Sequence, residues 1–467
     1  MKPAARSDPA APRSAAPSRR SAWRSLLPAW ADRDLRIVLG ARLSMSAARA
    51  IAGVVVALYL AAEGFSAVEI GVLFLCVTVV SALVSTSVGL LSDRVGRKPF
   101  LVGVPMLAAL AAAMFAVDRA PAVLFVFASL GSFGRGAGAG GGSVGPYQPA
   151  ESAYVAEGVP RPLRAAAFGR LAFASSLGAL VGGLMAGLAA ARPHMSPGAA
   201  LAAYRPAFVA CAILAAAAGT AALWLSDRRR PAPPAGVAGP RVRLPRRSWP
   251  ALWRLWVTNG TNGLAIGLVG PFLSYWLARR YGASPGDIGI LFAIVNLGSL
   301  GASLAAAGIA RRLGTVRAIV VVRAVTGLLM VPMALAPAFW LAGSIYFVRM
   351  LFQRVGLPLR QSFTQDLAHP DERSSVAALS NLPAQATMGL GQVVAGYLFQ
   401  DVALAAPFEV GALFQCANAL AYAVLFRAGK PRWRGGDGRT DAPGVPAATG
   451  VAAKGVPVTG PVASRQT

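Results

Sequence analysis

Histidine is almost missing from this chain: only His194 and His369 occur in 467 residues, both in apparent loops. No His-based metal site can be assembled from them. Cysteine is nearly as scarce. Cys76, Cys211 and Cys416 lie inside apolar runs without paired spacing, which reads as small buried residues rather than disulfides or metal ligands. Charge is low as well, at 13% of residues, where a soluble domain carries about 25%. A chain this apolar does not dissolve in water without a lipid partner. Acidic residues are the scarcer sign, with 18 Asp and Glu against 45 Lys and Arg, a net charge of +27. Lysine is confined to Lys2, Lys98, Lys430 and Lys454, an arginine bias that points to a GC-rich bacterial genome.

Strong basicity often means nucleic acid, but here the arginines cluster in short segments between apolar runs, as in the cytoplasmic loops of membrane proteins. No nucleic-acid partner is expected; the lipid bilayer is. Apolar runs of about 20 residues, enough to cross about 30 Å of hydrocarbon, recur twelve times. They cover roughly 35–61, 67–91, 100–117, 121–145, 166–190, 202–225, 251–277, 286–310, 315–335, 337–357, 376–399 and 405–427. In lipid the backbone must satisfy itself, so the runs predict helices and an all-α membrane protein.

Residues 1–34 are rich in Ala, Pro, Ser and Arg, lack the apolar core of a signal peptide, and predict a disordered basic tail, as do residues 428–467. The Pro-rich basic stretch 226–250 predicts a linker between two six-helix units, 35–225 and 251–427. Lys and Arg concentrate in the tails, the linker and the loops 92–99, 157–164 and 311–317. Both termini are therefore expected in the cytoplasm, with Arg279 and Arg280 as the exception and Arg192 and Arg205 further basic residues on the opposite side.

The two units align with each other. GFSAVEIGVLFLCV at 64–77 matches GASPGDIGILFAIV at 282–295, an offset of 218 with Gly64/Gly282, Ser66/Ser284, Ile70/Ile288, Gly71/Gly289, Leu73/Leu291 and Phe74/Phe292 identical. Glu69/Asp287 is a conservative pair, and the same offset carries Gly96 onto Gly314. A weaker match after span four pairs Pro149/Pro358, Glu157/Asp366 and Arg164/Arg373 at an offset of 209, which requires a deletion in between.

Between spans two and three stands GLLSDRVGRK, residues 89–98. Gly89 permits close helix contact, Gly96 a tight turn, and Asp93 can bond neighbouring basic groups or a helix N-terminus. Gly89, Asp93, Arg94, Gly96, Arg97 and Lys98 resemble the signature G-x-x-x-D-[RK]-x-G-R-[RK] of the major facilitator superfamily. The resemblance covers about 35–427 and implies two pseudo-symmetric six-helix bundles that rock about a central site between spans 1, 4, 7 and 10. It further implies a gating latch made by Asp93 and its basic neighbours, a monomer, and no cofactor or enzymatic activity. The second unit has Arg311 where Asp93 would fall, so any latch is asymmetric.

Charge inside a membrane is costly, about 2.5–3.5 kcal/mol on insertion scales, and points to function by default. Arg49 and, seven residues earlier, Arg42 share a face of span one; Arg135 and Arg349 lie deep in spans four and ten. Arg42 and Arg323 have the alternative of reaching headgroups. The position of Arg135 resembles the family arginine associated with proton coupling. Asn259 and Asn262 in the TNGTNG stretch of span seven are cavity candidates, with helix–helix hydrogen bonding as the alternative. No Asp or Glu is expected at mid-membrane depth, Glu151 and Glu157 being placed near cytoplasmic helix ends. The charge balance therefore favours an anionic or neutral solute.

In span five Gly178, Gly182 and Gly183 resemble the antiporter signature G-x-x-x-G-P-x-x-G-G, with Ala174 and Ala179 replacing the first Gly and the Pro. GRGAGAGGG at 134–142 fits a dinucleotide fingerprint by spacing alone. It neither follows a strand nor opens a helix in a βαβ unit, so it reads as a packing and flexing element of span four. The expected function is a secondary transporter exporting a small organic molecule from a bacterial cell, coupled to protons or a counter-anion if coupled. An organic-anion uptake permease is the alternative, with a transporter-like sensor or a membrane-embedded enzyme as other classes.

Overall fold

Apolar runs close their backbone hydrogen bonds internally, and among the described residues the chain is helical with no strand. The computed structural model describes residues 33–133, 145–189, 197–227, 247–369, 372, 376 and 379–426, with backbone alone at 93–94, 161, 165, 197–198 and 300–311. Both tails, His194, most of the linker and the glycine tract with Arg135 lie outside these residues.

The first half contains α1 Arg33–Ala62, α2 Ala67–Val95, α3 Lys98–Val117, α4 Pro121–Leu130, α5 Gln148–Gly158, α6 Arg164–Met185 and α7 Pro197–Leu223. The second contains α8 Trp249–Val269, α9 Leu273–Tyr281, α10 Pro285–Leu313, α11 Thr315–Leu328, α12 Met330–Leu335, α13 Phe339–Leu367, α14 Leu382–Tyr397 and α15 Ala406–Leu425. Among the described residues seven stretches are individually long and apolar enough to cross a membrane: α1, α2, α3, α6, α7, α11 with α12, and α15. Large apolar side chains such as Leu83, Ile213, Leu328 and Leu413 face outward, more than 60% exposed. That surface suits hydrocarbon rather than water.

Not every span is one continuous helix among the described residues. Span seven divides at Gly270, span nine between Leu328 and Met330, and span eleven ends in a π-helical turn, Leu398–Val402. Span four changes most. Its helix stops at Leu130, and a separate helix, α5, begins at Gln148, where the sequence reading had the chain already outside the bilayer. Eight of the fifteen residues from Gly131 to Gly145 are glycine, each costing a helix about 1 kcal/mol relative to alanine.

The internal repeat is present in the backbone. Gly64 and Gly282 both have positive φ, +95° and +64°, and so do Gly96 and Gly314, at +100° and +79°. Ser66 accepts the Glu69 N–H while Glu69 accepts the Ser66 N–H, and Ser284 with Asp287 does the same. Helix pairing repeats too. α1 packs on α6 and α7 as α8 packs on α14 and α15, and α3 on α7 as α11 on α15.

Across the halves, α6 meets α10 and α14 meets α2. A single apolar core joins both halves at the end of the bundle away from the linker, with Phe74, Phe115, Phe208, Phe272, Trp276 and Phe408 all buried in it. At the linker end the cores are separate. One gathers Leu35, Leu101, Tyr154 and Leu171 of the first half; the other gathers Leu252, Val322, Leu359 and Tyr422 of the second.

Candidate functional site

The repeated glycines make the cross-half contact. A Cβ on Gly71 would lie 2.6 Å from the Gln392 carbonyl oxygen, and one on Gly289 would collide with the Gly183 carbonyl. Only glycine allows backbones this close. Thr78 donates to the Gln392 side chain at 3.0 Å, and Ser274 to the Gly53 carbonyl at 3.1 Å, so polar groups also join the halves at this end. Gly178 and Gly182 lie on the Leu43 and Ala47 carbonyls of α1, and Gly183 faces α10.

On α1 the polar residues spaced along one face each meet a neighbour. Arg42 forms a buried ion pair with Glu151 of α5, the side chains 8% and 2% exposed. Ser46 bonds Ser175 of α6 at 2.9 Å. Arg49 donates to the Ser132 carbonyl at 3.2 Å, just beyond the end of α4. Its guanidinium also sits 3.0 Å from where a Cβ would stand on Gly145, which has φ +107°. Arg49 thus touches both described edges of the break in span four, where a cation suits the carbonyl end of α4.

One alternative is set aside here and one expectation is corrected. Arg42 does not reach for headgroups, because it is buried against a carboxylate. Glu151 lies deeper than a cytoplasmic helix end: it faces Arg42, about 14 Å along α1 from Arg33. A buried acid therefore exists where none was expected. The signal was hidden because run length closed span four near residue 145 and left 148–158 to the loop.

Asn259 and Asn262 are both buried within the second half. Asn259 donates to the Ser380 carbonyl at 2.7 Å, and Asn262 accepts from Arg323. Asn418 of α15 donates to the Thr258 carbonyl and to Thr261. The glycines of TNGTNG serve the same packing, Gly263 lying on the Ala384 carbonyl of α14. Arg349 is turned into its own half as well, donating to the Thr326 carbonyl of α11 at 3.2 Å.

In the 89–98 stretch, a Cβ on Gly89 would lie 3.9 Å from Pro149, and Gly96 makes the left-handed turn. Arg97 pairs with Glu157 at the end of α5, so that contact stays within the first half. Lys98 opens α3; the side chains of Asp93 and Arg94 lie outside the described residues. The sequence reading missed two anchors at the linker's ends. Asp34 accepts from Tyr154 and from the Ser226 N–H and hydroxyl, while Glu372 accepts the Arg247 and Ser248 N–H groups. Burial pushes the Glu372 carboxyl up, but these bonds, the Ser248 hydroxyl and nearby His369 outweigh it and hold it below the usual range.

Comparison with known proteins agrees with this architecture. A model of the Major Facilitator Superfamily matches residues 38–260 and 255–462. The "Uncharacterized MFS-type transporter YceJ" of Bacillus subtilis (strain 168) is 26% identical over 130 residues, 28% of this chain and 33% of that protein. The chain thus spans about a third of that curated relative's length. The solved nucleoside transporter NupG superposes with a TM-score of 0.66 at 14% identity, covering 85% of this chain and 99% of that one. A bacterial homolog of the human lysosomal transporter Spinster, inward-facing and occupied, gives 0.64 at 15% identity over 88% and 98%. An auto-inhibited POT family peptide transporter gives 0.66 at 13% over 85% and 97%. At these identities the structural likeness establishes the fold alone. The duplicated six-span unit, the 89–98 motif and a family match over nearly the whole chain make this protein a member of the Major Facilitator Superfamily.

Proposed function

We propose that the protein is a secondary transporter that exports a small organic molecule across the cytoplasmic membrane of a bacterium by alternating access. The observation that carries this reading is the asymmetry of the cores: one core shared by both halves at the far end, two separate cores at the linker end. Two halves that share a core at one end and keep separate cores at the other suit rocking about a central site. With the tails, the 35–225 and 251–427 bundles and the linker disposed as the loop charges predict, the parted end faces the cytoplasm. The α6 glycines support export through their likeness to the antiporter signature. The 89–98 motif acts as a gate at the linker end, and Arg49 and Arg135 act on span four.

The test is flux in proteoliposomes that contain only this protein, loaded with a panel of organic anions, cations and neutral solutes. Outward flux of at least one solute in cytoplasm-to-exterior orientation is the expected result. No flux for any of them overturns the reading in favour of a sensor. A second reading, an organic-anion uptake permease, is favoured by the excess of buried arginine over buried carboxylate. It requires that Arg49→Gln and Arg135→Gln each depress anion flux while leaving cation flux intact.

A further inference from the structure

Arg323 and Arg349 are 7% and 6% exposed, inside the bundle of α8, α11, α13 and α15. They flank one turn of α11. Arg323 donates to Asn262, and Arg349 donates to the Thr326 carbonyl one turn further on and approaches the Met350 sulfur. Gln415 of α15 donates to the Thr326 hydroxyl at 3.2 Å, closing the same cluster. Neither guanidinium forms an ion pair with any described residue. The Tyr422 hydroxyl of α15, in the same bundle, is buried and has no hydrogen-bond partner among the described residues.

A neutral amide and a backbone carbonyl do not neutralise two guanidinium charges. Isolated buried charge is so unfavourable that it is normally paired or held by a bound ion. The first half meets this need from its own chain, Glu151 against Arg42. The second half offers no acid here, yet keeps N–H groups of both arginines and the Tyr422 O–H available for an acceptor. We propose that the second half binds a small monovalent anion between Arg323 and Arg349, with Tyr422 as a further donor, as a counter-ion within that half. The chemistry is that of a halide or a carboxylate, supplied either by inorganic salt or by an organic acid. The inference is independent of the transport reading, since binding is measured without a gradient.

The experiment is equilibrium dialysis of radiolabelled chloride against the purified full-length protein in neutral detergent, with gluconate as the background anion. Saturable chloride binding is expected, about tenfold weaker in Arg323→Gln and in Arg349→Gln and unchanged in the exposed control Arg279→Gln. Competition by acetate identifies a site open to carboxylates; competition by bromide alone identifies an inorganic-ion site. Because the arginine variants are liable to misfold, Asn262→Asp is the second probe. It places a carboxylate where Arg323 already bonds, so this variant is expected to fold, to bind chloride about tenfold more weakly, and to lose any chloride-dependent gain in melting temperature. Absence of saturable binding in the wild type overturns the proposal. So does an Asn262→Asp protein that binds chloride as tightly as the wild type.

Discussion

Glu151 of the first half and Arg360 of the second stand in corresponding places, because the offset that carries Pro149 onto Pro358 carries one onto the other. In the same way the offset of 218 carries Arg42 and Arg49 of α1 onto Gly260 and Gly267 of α8. The first half therefore uses a charged helix one that reaches across to span four. The second uses a glycine-bearing helix that lies against the α14 backbone, Gly267 touching the Met388 carbonyl. Span four is interrupted where its counterpart α13 runs unbroken from Phe339 to Leu367. The start of α4 matches the start of α13 at the larger offset, and the end of α5 matches its end at the smaller one. The extra residues of the first half thus fall between Leu130 and Gln148. What the duplication has kept is the set of turns, caps and packing glycines; what it has let diverge is charge.

The largest expected effect tests whether the first half is self-neutralised. Glu151→Gln leaves Arg42 buried without its counter-charge and should cost about 3–5 kcal/mol, read as a lower melting temperature in detergent. Replacing both members by apolar residues, Arg42→Met with Glu151→Leu, should recover most of that loss, since a buried pair contributes little beyond its hydrophobic replacement. A single variant as stable as the wild type would break the comparison, because it would mean that Arg42 needs no partner.

The next effect sharpens the symmetry. Gly71→Leu and Gly289→Leu each push a side chain into the backbone of the opposite half, Gln392 in one case and Gly183 in the other. Overpacking of this kind costs about 1–3 kcal/mol, and here the strain is relieved by parting the far end. Both variants should increase thiol labelling of a cysteine placed at the far-end core, by comparable amounts. If only one of them does so, the two cross-half contacts are not equivalent and the pseudo-twofold hinge fails.

Much of this was legible in the sequence, and the boundary has a physical reason. The glycine turns at 64, 96, 282 and 314 and the Ser66 and Ser284 caps are local features, set by residues within a few positions of one another. The helices follow from hydrophobic run length because lipid leaves the backbone no alternative. Glu151 was not legible, since its burial comes from pairing with Arg42, 109 residues away in the chain, which run length does not report. The Arg323–Asn262 bond joins residues 61 apart, and no local pattern announces it. For Asn259 and Asn262 the sequence left cavity and packing roles open, because intramembrane amides serve both equally; the bonds they make to Ser380 and Arg323 became visible only in three dimensions.

The smallest effect tests the shared part of the two halves. Ser66→Ala and Ser284→Ala each remove a cap and should each cost about 1 kcal/mol at neutral pH. Each capping serine also meets its own acid, Glu69 accepting from the Ser66 N–H and hydroxyl and Asp287 from those of Ser284. Glu69→Gln and Asp287→Asn should therefore each lower the melting temperature by less than the serine variants do, and by similar amounts in the two halves. A loss confined to one half would mean that the two halves share the geometry of this turn without sharing its energetics.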